Sequence, residues 1–119
     1  MFKRFAVILV SSFIIAALAG CQSYNIRDEA KTAAQQTVNI VDDYLARSIS
    51  AETAYKNIDQ INTKWDNETT DESILADNIL IIGSSLLNQS IDNSGNRDDI
   101  KKKRDEIAKY IKYAKSSKS

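Results

Sequence analysis

The chain has 119 residues and sixteen basic against sixteen acidic side chains, so there is no global positive charge of the kind that drives nucleic-acid binding. It has no histidine and a single cysteine, which excludes imidazole catalysis and any internal disulfide. Without proline and with only three glycines it lacks the turn residues of a many-stranded fold, and its Ala, Lys, Asn and Ile content favours helices.

The first twenty residues differ from everything after them. Lys3 and Arg4 precede Phe5 to Leu18, fourteen residues that are apolar apart from Ser11 and Ser12. That length suits the apolar region of an export signal and falls short of the ~18 residues a spanning helix needs. The stretch ends in Leu18-Ala19-Gly20-Cys21, and Cys21 is the sole cysteine.

This ending resembles the lipobox of bacterial lipoproteins. The resemblance covers only the signal, and the mature domain matches no functional motif. It implies cleavage between Gly20 and Cys21 and a diacylglyceryl group on the Cys21 sulfur, and the new N-terminus could also carry an N-acyl group. It also implies a protein outside the cytoplasm, held by lipid at the cell membrane or outer membrane. The other reading of the same stretch is an uncleaved anchor in which Cys21 is a bystander.

The mature segment, residues 21–119, suits one domain with its own core. It carries fourteen bases and sixteen acids, net −2, unevenly spread. Residues 21–92 hold five bases and twelve acids, whereas residues 93–119 hold nine bases and four acids.

Four helices are predicted, over about 25–47, 51–66, 70–91 and 97–115. In the first, Asn25 is the expected cap, and Ala30, Ala34, Val38, Val41 and Leu45 form a stripe at helical spacing. Asp43 and Arg47 form an i,i+4 pair on its outside. The second starts at Ser50 and buries Ala54, Ile58, Ile61 and Trp65, while Glu52, Lys56, Asn57, Gln60 and Lys64 face away. The acidic turn from Asp66 to Glu72 lacks the spacing of a calcium loop. It serves instead to start the third helix, with Thr69 as cap and Glu72 completing a capping box.

In the third helix Leu75, Ile79, Ile82 and Leu86, widened by Ala76, Leu80, Leu87 and Ile91, occupy the inner half. Gly83 sits mid-face, where a close helix crossing would explain a residue that costs about 1 kcal/mol of propensity. Ile74 and Ile81 fall on the other half, against a fourth helix or as an exposed patch for a partner. Beyond the loop at 92–96, Ile100, Ile107, Ile111 and Ala114 form the last inner stripe, with Tyr110 at its edge.

The expected architecture is an all-α, antiparallel four-helix bundle. No glycine-rich phosphate loop or zinc motif occurs, and Asp42 and Asp43 diverge by about 100° on a helix, so the expected protein is not an enzyme and needs neither metal nor cofactor. The expected role is interaction with another envelope protein. The alternatives are a structural envelope lipoprotein and a binding module for a small apolar or peptide ligand between the helices. Membrane lipid through Cys21 is the expected partner, nucleic acid is not, and Lys109, Lys112, Lys115 and Lys118 are the expected contacts to a membrane surface, with the acidic remainder turned outward.

Overall fold

A computed structural model describes residues 23–62, 64–94 and 96–114. Cys21, Gly20, Lys115 and Lys118 lie outside the described residues. Four helices run in order: α1 over Asp28–Leu45, α2 over Ala51–Asn62, α3 over Thr70–Asp92 and α4 over Arg97–Lys112. Short connections make consecutive helices antiparallel, and α1 packs on α2 and α4 while α3 packs on the same two. The expected all-α four-helix bundle is the fold. Each apolar stripe turns inward, with Ala30, Ala34, Val41, Ala54, Leu75, Ile79, Ile82, Leu86 and Ile107 fully buried.

Helix ends follow local chemistry. The Thr69 hydroxyl oxygen accepts from Glu72 N at 3.0 Å, Ser50 Oγ accepts from Thr53 N at 3.1 Å, and Asn96 Oδ1 accepts from Asp98 N at 2.8 Å. Each cap satisfies an N–H that the first helical turn leaves without a partner. Helix α1 departs from this pattern. Its boundary residue is extended Arg27, which makes no side-chain cap, rather than Asn25.

Helix α1 also stops at Leu45, because Arg47 takes a left-handed conformation, φ 63°. Arg47 N donates to Tyr44 O at 3.0 Å and Ser48 N to Asp43 O at 2.8 Å, the paired bonds of a Schellman ending. Arg47 thus leaves the helical line, and the expected Asp43–Arg47 ion pair does not form. Helix α2 ends at Asn62 and α4 at Lys112, each short of its predicted limit.

The interaction that joins the chain's start to α3 lies at the lower pole of the bundle. Glu72 is fully buried, and its carboxylate accepts from Arg27 Nε at 3.0 Å and Nη2 at 2.9 Å, from Arg27 N at 2.8 Å and from Glu68 N at 2.9 Å. Glu72 therefore does not return a bond to its own cap, as a capping box would. Instead it faces residue 27 across the bundle. Beside it, Asn25 N donates to Asp71 Oδ2 at 2.7 Å and the Thr69 hydroxyl donates to Asn25 O at 2.6 Å. Burial alone would push the Glu72 carboxyl up, but the Arg27 guanidinium and two backbone N–H groups outweigh it and hold the pKa at about 2.

At the same pole Tyr24 N donates to Tyr113 O at 2.8 Å, an isolated parallel pairing of Tyr24 with Ala114, and the Tyr24 ring stacks on Tyr110 at 4.1 Å. At the upper pole Arg97 donates to Leu45 O at 2.8 Å and lies over the Tyr44 ring. Between the poles, Arg104 clamps Asp42 with two bonds of 2.8 and 3.0 Å, joining α4 to α1.

Gly83 is buried against α2, but a β-carbon there would sit 3.6 Å from Ile58 Cγ2, an ordinary contact. The crossing is therefore loose enough for a methyl group, contrary to the tight approach expected. Leu80 and Ile91 also depart from expectation, being 59% and 71% exposed. Leu80 borders a shallow recess shared with Tyr55, Ile58 and Asn62 of α2, and Ile91 lies in the last turn of α3.

Three stability tests follow from these geometries, each measurable by thermal or denaturant melts. Gly83→Ala should stabilise the protein by up to ~1 kcal/mol through helix propensity alone. Arg47→Gly should stabilise it by ~0.5–1 kcal/mol, since glycine adopts the left-handed conformation without the β-carbon penalty. Glu72→Gln should cost about 3 kcal/mol at neutral pH, because it removes the buried charge that Arg27 and two backbone N–H groups bond. The folded Glu72 pKa lies below the ordinary carboxyl value of 4.5. Its stabilisation is thus full above that value and lost as pH falls toward 2, and the Gln variant should show a shallower acid transition.

Candidate functional site

A groove of about 620 Å³ lies between α1 and α2. Its existence follows from the residues that line it. On α1 the inward residue is Ala33, too small to fill the space against α2, and on α2 the helix ends at Asn62. Ala33, Ile40, Ile61 and Trp65 give the groove an apolar floor, and Thr32, Gln36, Asn39, Asn57 and Gln60 give it polar walls. The only charged lining residues are Glu29 and Lys64, of opposite sign. Because α1 and α2 are antiparallel, both belong to the lower pole.

The walls are rich in amide groups, which both donate and accept hydrogen bonds. Asn39 Oδ1 accepts from Gln35 Nε2 at 3.1 Å, so the Asn39 NH₂ keeps its donors. Trp65 follows the end of α2 on a turn in which Lys64 N donates to Ile61 O at 3.1 Å. The indole is packed into the core, 8% exposed, and its Nε1–H has no acceptor. Trp65 is thus in the core, as its helical spacing predicts.

Asn57 and Gln60 were expected to face plain solvent, and the structure sets them on one wall of the groove. Gln36 and Asn39, three residues apart on α1, have no counterpart in the expected site. The signal available in sequence was a pair of amide doublets at i,i+3 on adjacent helices, which a reading of single-helix faces does not connect.

A second surface lies on α3, where Ile74, Leu80, Ile81 and Ile91 are 45–71% exposed. Ile74 and Ile81 thus form an exposed patch rather than packing under a fourth helix. Asp77, Ser84 and Asn88 run between the apolar margins, so the face is not continuous. Helix α3 is long and apolar enough to cross a membrane by length and composition, yet Leu75, Ile79, Ile82 and Leu86 are fully buried in the bundle.

Lys109 and Lys112 lie in the last turn of α4, at the lower pole. The acidic turn lies at that pole too, since Asp71 and Glu72 bond Asn25 and Arg27 there. Lys109 and Lys112 therefore share the lower pole with the acidic turn. Glu68, Asp71 and Glu72 of the turn are held by protein donors, and no group of three or more metal-ligating side chains is assembled among the described residues. Comparisons with protein-family models, with curated proteins and with solved structures give no match.

Proposed function

We propose that this chain is a small lipid-anchored protein of the bacterial cell envelope that acts without catalysis, holding a protein partner at the membrane surface. The observation that carries the reading is the pairing of Tyr24 N with Tyr113 O at 2.8 Å. It fixes the chain, three residues after Cys21, to the lower pole of the bundle. An acyl group on Cys21 would then leave almost no free linker, and the domain would stand on that pole.

In this orientation the α1–α2 groove runs upward from the membrane-proximal end, and the exposed α3 margins face sideways. Both are surfaces that a neighbouring envelope protein can reach. Lys109 and Lys112 supply secondary contacts to lipid phosphates, offset by Asp66, Glu68 and Asp71 at the same pole. The tether therefore supplies the attachment, and the charges adjust only the tilt.

Metabolic labelling with a fatty-acid analogue tests the anchor. Cys21→Ser should abolish label and leave an uncut precursor, because no other residue offers a thiol. Label that persists in the Ser variant would overturn the reading. Crosslinking in intact membranes tests the interaction role, with one stoichiometric envelope protein as the expected product.

A further inference from the structure

We infer, going beyond the role proposed above and resting on neither its anchor nor its envelope partner, that the outer face of α3 pairs antiparallel with the same face of a second copy of the chain. The face has the spacing for it. Ile74, Ile81 and Asn88 form one row and Asp77, Ser84 and Ile91 a second, and all six side chains are exposed. Successive members therefore alternate between three and four residues apart, which is the seam of two helices packed lengthwise, knob into hole. Among the described residues, the large apolar side chains left exposed are Ile74, Leu80, Ile81 and Ile91 on α3 and Tyr113 after α4.

A second copy is selected because the face complements itself. In a pair related by a two-fold axis, residue i meets residue j and j meets i. With the axis at the level of Ile82 and Gly83, one register sets Ile74 against Ile91, Asp77 against Asn88 and Ile81 against Ser84, and each pairing occurs twice. Apolar meets apolar, and a bulky residue meets a small one. The sole ionisable side chain of the two rows meets an amide that can donate to it. At one edge of the seam Leu80 of each copy lies near Leu87 of the other, and at the opposite edge Asn78 lies near Ser85. A parallel pair would instead stack Asp77 on Asp77, where like charges repel. An unrelated partner must match this order from its own sequence, whereas the chain already carries it.

The size of the face sets the strength of the pair. Its four exposed aliphatic side chains amount to about 400 Å² of apolar surface per copy, half of the ~800 Å² that a standard interface covers on each partner. The pair is therefore reversible and depends on concentration. It leaves the α1–α2 groove uncovered. It also sets the two lower poles at opposite ends, so a pair tethered at both poles lies along a membrane, whereas a single copy stands on it.

Sedimentation of the full-length chain in detergent, over a range of concentrations, tests the pairing. The expected result is a monomer–dimer equilibrium that Ile81→Asp weakens about tenfold or more, because a carboxylate enters the seam twice. Substitutions at Asn88 read the register. Asn88→Lys places an ammonium against Asp77 of the second copy and should tighten the dimer about tenfold, whereas Asn88→Asp should loosen it about tenfold. Both positions are exposed, so the circular dichroism of all three variants should match the parent. Disulfide trapping reads the direction, in chains whose native thiol is removed by Cys21→Ser. A mixture of Ile74→Cys and Ile91→Cys chains should oxidise to the mixed dimer, while Lys31→Cys, on α1, should stay monomeric.

A chain that remains monomeric at millimolar concentration would sink the inference. Disulfides joining Ile74→Cys to itself and Ile91→Cys to itself would do the same, as would a dimer loosened by both Asn88 substitutions, since each denotes a parallel pair. The envelope role fails on other results: label retained in Cys21→Ser, or no envelope protein crosslinked in membranes. Neither of those alters the sedimentation.

Discussion

A carboxylate without contact to water is the constraint on which the lower half of this bundle depends. Glu72 lies among apolar side chains, in phase with Leu75 and Ile79, where an unpaired charge would be costly. Only Arg27 reaches it with side-chain charge, and only because the extended residues ahead of α1 cross to the start of α3. Arg27 then spans further, with ion pairs to Glu29 and Glu68 at 3.5 Å and a bond to the carbonyl of Asp66. One guanidinium thus orders the start of α1, the 66–69 turn and the first turn of α3 together. Such a buried ionic contact adds less net stability than its bonds suggest, but it penalises any packing in which α1 and α3 are out of register.

The groove is a product of the same arrangement. With α1 fixed at its start to α3 and in its last turn to α4 through Arg104 and Asp42, its third neighbour α2 packs with small residues and a short span. The space that remains between α1 and α2 is bordered by side chains with no structural task in the core. These are amides rather than charges, and they leave the concavity neutral over most of its length. The α3 face, by contrast, has its apolar groups separated by Asp77 and Asn88.

Periodicity carried the helices because each has one apolar stripe, and burial in a bundle depends mainly on that stripe. Ile58, Leu75, Ile79 and Ile107 fell inside as their spacing required. What escaped was long-range or backbone-specific. Glu72 was legible as a local cap, yet its phase with Leu75 also set it on the inner face, a signal in conflict with its charge and resolved only by a partner 45 positions away. Arg47 carried no mark of a left-handed residue, since glycine or asparagine usually stands there. The groove was least legible, because it is a relation between two helices and neither wall is unusual alone.

The clasp between Tyr24 and Tyr113 has a mechanical consequence. The described chain enters and leaves the bundle at one pole, so a pull on its first residues is shared by the Tyr24–Tyr113 bond, the Asn25–Asp71 bond and the Arg27–Glu72 pair. These contacts end on α4 and α3 rather than on α1 itself. Load applied at the start would therefore spread across α3 and α4 before α1 could peel from its neighbours. The opposite pole, where α1 and α3 end, bears none of that load and is where the chain would tolerate an inserted segment.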